Sequence, residues 1–171
     1  CAEYKNRKLE KLVVTGCLPQ KFIDELFLPL QEADVFLGIS DYEKIFEALE
    51  NSYAKDERQN YVRKGNDGYL KNRVLTTDEH IAYLKIAEGC DHCCSYCLIP
   101  QLRGKYVSRK MDDILQEAGR LADFGVKELI LIAQDTSVYG CDIYGKPSLP
   151  QLLEKIAALP FDMIRLLYVY P

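Results

Sequence analysis

The sequence predicts an α/β protein in which parallel strands alternate with helices. Short apolar runs such as Leu129-Ile130-Leu131-Ile132-Ala133 are almost continuous, as expected of parallel strands that are buried on both faces. Amphipathic stretches with helical periodicity lie between these runs. Three such strands, separated by loops and helices, occupy residues 81–171, which is typical of the start of a βα barrel or of an open parallel sheet.

Residues 1–50 carry two further βα units. Leu12-Val13-Val14-Thr15 and Val35-Phe36-Leu37 are the predicted strands, and an amphipathic stretch over about 20–28 follows the first of them. Ser40-Asp41-Tyr42-Glu43 matches the capping box that opens a helix after the second strand. Two strands do not make a stable sheet alone, so we expect this domain to be truncated at its N-terminus.

Residues 51–80 interrupt this rhythm. Charges of both signs are mixed there with glycines and few aliphatic residues, which predicts a linker between domains. Contact of its basic residues with RNA is the alternative, but five acidic residues are interleaved with them.

Residues 81–171 begin with an apolar strand over 81–87, and a long loop over 88–108 follows it. The next helix has Ile114, Leu115, Ala118, Leu121 and Ala122 on one face. A strand over 129–133, a loop over 134–147, a helix opened by a second capping box at 148–151 and a strand over 164–170 complete the pattern. In βα enzymes the chemistry lies on the loops at the carboxyl ends of the strands, so these two loops are the candidate site.

The composition is that of an ordinary globular protein, with 48% apolar and 28% charged residues among 171. No apolar run reaches the roughly 20 residues that span a bilayer, and a membrane protein is therefore not expected. The net charge of −4 argues against a dedicated nucleic-acid-binding surface, because such surfaces carry a basic excess. Direct binding of RNA is not expected from these residues.

Four of the seven cysteines, Cys90, Cys93, Cys94 and Cys97, fall within eight residues, which indicates an intracellular metal site and not disulfides. A structural zinc site would make the chain a non-catalytic interaction module. Zinc needs four ligands around a tetrahedron, and four ligands within eight residues, two of them adjacent, would strain the backbone. Cys90, Cys94 and Cys97 instead form C-x3-C-x2-C and offer three thiolates, one fewer than a closed [4Fe–4S] cluster uses. One iron is then open to a small molecule.

This motif, with Tyr96 before its last cysteine and with a βα strand before the loop, resembles the signature of radical S-adenosylmethionine enzymes. The resemblance implies a [4Fe–4S] cluster on Cys90, Cys94 and Cys97 whose open iron binds the amino and carboxylate groups of S-adenosylmethionine. It also implies an electron donor of the flavodoxin or ferredoxin type and a 5′-deoxyadenosyl radical that abstracts hydrogen. By position, Tyr96, Leu98 and Ile99 would line the adenine, with packing inside the loop as the alternative.

Residues 13–20, Val-Val-Thr-Gly-Cys-Leu-Pro-Gln, are similar to the last cysteine segment of the N-terminal domain of methylthiotransferases. Three cysteines of that domain hold a second [4Fe–4S] cluster that takes part in delivering sulfur. The resemblance makes Cys17 the third of these ligands, with its two partners outside this sequence; the alternative is a small buried residue at a strand end. Cys1, Cys93 and Cys141 are not expected to be ligands.

Residues 84–92, 132–140 and 165–171 resemble the branch that methylthiolates the β-carbon of an aspartate in the twelfth protein of the small ribosomal subunit. The tRNA adenosine branch, which usually shows Gln-Asn-Val-Asn-Ser-Tyr-Gly at the second stretch, is the alternative. Gln134 and Asp135 end a strand in that stretch and are candidates to hold cofactor or substrate, or else are solvated or capping residues. Arg103 also matches the family, and the sequence gives it no role beyond neutralising an acidic cofactor or cluster.

The resemblance as a whole implies a truncated N-terminal α/β methylthiotransferase domain over 1–50, a linker over 51–80, and the first βα units of a radical SAM partial TIM-type barrel over 81–171. It implies a cytoplasmic enzyme with two [4Fe–4S] clusters, S-adenosylmethionine as cofactor and a ribosomal protein as substrate. We expect this polypeptide alone to be inactive, because half a barrel cannot enclose S-adenosylmethionine and exclude water from the radical.

Overall fold

The computed structural model describes residues 9–55, 57–63 and 74–170. These residues form two compact units. The first unit contains the described residues before position 64 together with Tyr96–Gly104, and the second contains the described residues of 74–95 and 105–170. None of the helices in these ranges is both long and apolar enough to cross a membrane. Cys1, residues 64–73 of the expected linker and Pro171 lie outside the described residues.

The first unit is built on a parallel sheet of three described strands in the order β1-β2-β3. Its central strand is fully buried, as the apolar sequence Val35-Phe36-Leu37 predicts, and Ala48 of the following helix packs against it. The elements are β1 (Val13–Thr15), α1 (Cys17–Leu26), β2 (Val35–Leu37), α2 (Ile45–Lys55), β3 (Gln59–Tyr61) and α3 (Ile99–Arg103).

The structure differs from the predicted linker over 51–61. Helix α2 continues to Lys55, and β3 pairs in parallel with β2. Because β3 has the sequence Gln-Asn-Tyr, no apolar pattern marks it as a strand. It is held by polar contacts instead: Gln59 N donates to the Asp34 carbonyl at 2.7 Å, and the Arg58 guanidinium donates to the carbonyls of Leu30 and Ala33 at 2.9 and 3.0 Å.

The second unit is built on the parallel sheet β4-β7-β8, and the predicted α/β class with parallel strands is confirmed. Helix α4 buries Ile114, Ala118 and Leu121 of its predicted face, while α6 buries Leu149, Leu152 and Ile156. The elements are β4 (Ile81–Lys85), β5 (Ala87–Glu88), β6 (Val107–Ser108), α4 (Met111–Asp123), β7 (Glu128–Ile132), α5 (Cys141–Tyr144), α6 (Leu149–Ile156) and β8 (Met163–Leu166).

Neither predicted capping box forms, although both helices begin where the sequence places them. A 3-10 turn over Tyr42–Lys44 precedes α2, and the Asp41 carboxylate at its start is bound by Arg63. At α6, the Ser148 hydroxyl donates to the Lys146 carbonyl at 3.0 Å and makes no cap to the helix. At α6 the side chain suited to capping thus makes a competing hydrogen bond.

Candidate functional site

Two loops of the second unit lie side by side because they leave neighbouring parallel strands. Lys85 of β4 pairs with Ile132 of β7, and Ile86 N donates to the Ile132 carbonyl at 2.9 Å. The first loop begins at Gly89, immediately before Cys90, and the second begins at Ala133. The carboxyl ends of parallel strands meet at one edge of a sheet, where ligands bind in βα proteins. A cavity of about 390 Å³ opens there. It is lined by Cys90, Asp91, His92, Tyr106, Asp135, Val138, Cys141 and Asp142.

Asp135 is the buried acidic group of this cavity, with 1% of its surface exposed. Its Oδ2 lies 2.6 Å from His92 Nε2. Its Oδ1 accepts hydrogen bonds from the Ser137 backbone N–H at 2.8 Å and from the Ser137 hydroxyl at 2.5 Å. Burial by itself raises the pKa of Asp135, but the hydrogen bonds from Ser137 and His92 outweigh it, so the pKa lies below its usual value. The carboxylate is therefore charged at neutral pH.

Two other hydrogen bonds hold the start of the cysteine loop, and a third joins Tyr106 to the second loop. The Gln134 side-chain Oε1 accepts from Gly89 N at 2.7 Å, one residue before Cys90. Tyr106 N donates to Asp91 Oδ1 at 3.1 Å, and the Tyr106 hydroxyl donates to the Asp135 carbonyl at 2.8 Å. The loop from Gly89 to His92 is thus held by side chains and backbone from both neighbouring segments.

The His92 ring is also stacked on Tyr170, with 4.6 Å between the ring centroids and 27° between the planes. The segment after β8 is fixed in turn by Thr136, whose backbone N–H and hydroxyl both donate to the Tyr168 carbonyl at 3.0 and 3.2 Å. Tyr168 has φ of +60°, a conformation uncommon outside glycine, which ends the strand earlier than the predicted residue 170.

The predicted cluster ligands are present as free thiols. Cys90 is buried, Cys94 and Cys97 are half-buried, and none of the six cysteines in the described residues forms a disulfide. The segment from Cys90 to Cys97 contains neither helix nor strand. Three thiols on such a short segment fit the chemistry of an iron–sulfur cluster with one open iron. Across the ranges that the structure describes, no three His, Cys, Asp or Glu side chains are grouped as a metal site, so ligation by these three stays a prediction.

The residues predicted to line the adenine, Tyr96, Leu98 and Ile99, are exposed, and Tyr96 most of all at 88%. They belong to the first unit, where Leu98 precedes α3 and its carbonyl accepts from Gln101 N and Leu102 N. Their role at the adenine also stays a prediction.

Cys17 is the first residue of α1 and is half-buried. Arg103, at the end of α3, donates from Nη2 to Cys17 Sγ at 3.4 Å within the same unit. Arg103 therefore lies beside a predicted cluster ligand. The sequence did not indicate this contact, because the two residues are 86 positions apart.

Sequence reasoning also missed Ser137, Tyr106 and Tyr170 as parts of the site. Only Ser137 carried a usable signal, since an Asp followed two residues later by a hydrogen-bond donor is the pattern of an Asx turn. Tyr106 and Tyr170 reach the site through the arrangement of the sheet, and no local pattern marks them.

Residues 84–167, which include all three cysteines of the motif, match the family model described as the Radical SAM superfamily. The chain is 50% identical to ribosomal protein uS12 methylthiotransferase RimO of Clostridium tetani (strain Massachusetts / E88), over 99% of the chain and 39% of that relative. The proteins of the same name from Alkaliphilus oremlandii (strain OhILAs) and Acetivibrio thermocellus are 48% and 45% identical over 99% of this chain, and 38% and 40% of their lengths are covered.

The chain thus spans about two fifths of the length of the curated relatives it matches. Identity of 45–50% over almost every residue is far above what a shared fold alone requires. Together with the superfamily match across the cysteine loop, it establishes that the chain belongs to the radical SAM methylthiotransferase family.

Proposed function

We propose that the protein carrying this chain is a radical SAM methylthiotransferase that modifies ribosomal protein uS12 at the β-carbon of an aspartate. The observation that carries the proposal is the near-50% identity to proteins of that name over 99% of the chain. With a ribosomal protein as its substrate, the enzyme is proposed to act in the cytoplasm.

Cys90, Cys94 and Cys97 would hold a [4Fe–4S] cluster, leaving one iron for S-adenosylmethionine. Once reduced by a flavodoxin- or ferredoxin-type donor, this cofactor pair would supply radical chemistry able to abstract hydrogen from an unactivated C–H bond. The chain's own residues orient the site: Gln134 holds the backbone before Cys90, and Asp135 holds His92. Cys90 and Tyr106 also line the cavity, and both residues are buried. Tyr96, Leu98 and Ile99 are proposed to contact the adenine, and Gln134 and Asp135 to face the cofactor or substrate side of the site.

Cys17 is proposed as one of three ligands of a second [4Fe–4S] cluster that takes part in sulfur delivery. The donor from Arg103 supports this role, because a guanidinium beside a sulfur stabilises the negative charge of a thiolate-bound cluster.

The proposal is tested by anaerobic reconstitution of the protein carrying this chain with iron and sulfide. We expect iron and acid-labile sulfide to bind and methylthio transfer to a uS12 peptide to follow. Cys94→Ser should abolish activity and lower the iron content, because it removes one of three ligands. Cys93→Ser, the exposed neighbour in the same loop, is the matched control and should keep both.

Two results would contradict the proposal. Zinc without sulfide would indicate a non-catalytic metal-binding module, and transfer to an adenosine-modified tRNA in place of the peptide would indicate the other branch of the family. If Cys94→Ser and Cys93→Ser lost iron equally, the choice of Cys94 over Cys93 as a cluster ligand would be wrong.

A further inference from the structure

We propose that His92 and Asp135 act as one positioning unit, which holds the first half of the cysteine loop in the orientation that binds S-adenosylmethionine. This inference rests on the proposed function and deepens it. Both residues line the 390 Å³ cavity that also contains Cys90. Neither is proposed to react, and the cofactor affinity of the site is proposed to depend on the contact between them.

The hydrogen bonds of Asp135 argue that it acts through His92. A carboxylate offers about four lone-pair positions. Ser137 occupies two of them on Oδ1, and His92 occupies a third on Oδ2. The side chain is nearly inaccessible, with 2% exposed. A carboxylate that is buried and already bonded on both oxygens serves to fix its partners, because a new ligand would first have to displace one of them.

The surroundings of His92 show that its ring is fixed in two directions. Asp135 holds one edge at Nε2, and Tyr170 covers one face of the ring. His92 lies two residues after Cys90 and two before Cys94, so a fixed ring also anchors the backbone between two proposed ligands. Residues that orient metal ligands from outside commonly change metal affinity or activity by about 10–100-fold when they are removed, and we expect an effect of similar size here.

The backbone just before His92 is also held by other contacts. Gln134 bonds Gly89 N, and Asp91 accepts from Tyr106 N. The His92–Asp135 contact is therefore not required for the fold of this segment, and its loss is expected to alter the precision of the loop while the cavity persists.

The test measures S-adenosylmethionine binding by anaerobic titration of the reconstituted protein carrying this chain, with iron and sulfide counted in each sample. His92→Phe keeps an aromatic ring for Tyr170 and removes the hydrogen bond. Asp135→Asn keeps the volume and removes the charge. His80→Phe is the matched control, because His80 is an exposed histidine of the same unit outside the cavity.

We expect His92→Phe and Asp135→Asn each to weaken S-adenosylmethionine binding by about tenfold with unchanged iron and sulfide content. The double variant should be no weaker than either single variant, since both remove the same contact. His92→Gln, whose amide can donate to Asp135, should recover most of the affinity. His80→Phe should bind as the unsubstituted protein does.

The inference is overturned if the two single variants bind normally, if their effects multiply in the double variant, or if His92→Gln is as weak as His92→Phe. Because 38% of the His92 side chain is exposed, its variants are expected to fold, and they decide the matter even where Asp135→Asn does not. A protein without substitutions that binds neither cluster nor S-adenosylmethionine would instead contradict the proposed function. If the protein without substitutions binds the cofactors and the variants bind them equally well, only the positioning role of His92 and Asp135 is contradicted.

Discussion

Gly140 and Gly119, both in the second unit, differ in whether their position tolerates a side chain. Gly140 precedes α5 with φ of +87°, in the region that disfavours side chains, and a Cβ added there would lie 2.7 Å from Ser148 Cβ. Gly119 lies inside α4, and an added Cβ would meet no atom within 4 Å. The first glycine is required by the fold, and the second weakens its helix.

Alanine substitutions should therefore move the free energy of unfolding in opposite directions. We expect Gly140→Ala to lower it by more than about 1 kcal/mol, because the residue is strained and clashes with Ser148. Gly119→Ala should raise it by about 0.5–1 kcal/mol through helix propensity. Urea denaturation of both variants measures the difference, and destabilisation by Gly119→Ala would show that α4 is packed more tightly than the structure indicates.

At the residue scale, the sequence singled out the cysteines as candidate ligands and Gln134 and Asp135 as candidate site residues, but it did not indicate the contacts between the two loops. Cysteine spacing is local and can be recognised without a fold. The contact between His92 and Asp135 joins residues 43 positions apart, and only the parallel pairing of β4 with β7 brings them together.

At the scale of elements, Arg109 connects the end of β4 to helix α4. Its Nη1 donates to the Lys85 carbonyl at 2.7 Å, and its Nη2 lies 2.7 Å from Glu117 Oε2. Both side chains of this ion pair are only 11% exposed. A second pair, between Glu128 of β7 and Arg165 of β8, is more open, with 19% and 51% of the side chains exposed.

These two ion pairs should differ in their contributions to stability. Glu117→Ala leaves the Arg109 charge buried and is expected to lower the free energy of unfolding by about 3 kcal/mol. Glu128→Ala breaks the exposed pair and should cost less than about 1 kcal/mol, because water screens it. Chemical denaturation of the two variants compares them. Equal costs would mean that burial does not set the strength of these contacts.

Among the elements, those with strong apolar patterns were predicted well. Strands β2, β4 and β7 and the buried faces of α4 and α6 follow directly from hydrophobic spacing. Strand β3 and helix α3 were missed. The first has a polar sequence stabilised by main-chain bonds, and the second has five residues with Pro100 in its first turn, too short for a periodic signal.

At the scale of the whole molecule, the described part of the second unit contains one parallel sheet of three strands, with β4 and β8 at its edges. In a closed βα barrel the loops at the carboxyl ends of all the strands surround the ligand. Three strands form one wall, so the cavity beside Cys90 is open to water.

We therefore expect the 171-residue polypeptide by itself to show no methylthio transfer to a uS12 peptide, even after reconstitution with iron and sulfide. An incomplete site would not hold the cofactor and the peptide in the alignment that hydrogen abstraction requires. Mass spectrometry of the products checks this. The positive control is a protein that contains this chain and is as long as its relatives. Turnover by the short polypeptide would show that these residues enclose the cofactor unaided.

The bond between His92 and Asp135 also constrains how the two loops can evolve. A substitution at either position leaves a mismatched partner, so changes that survive should arrive in pairs. Lineages that diverge in substrate would then carry matched exchanges at both sites.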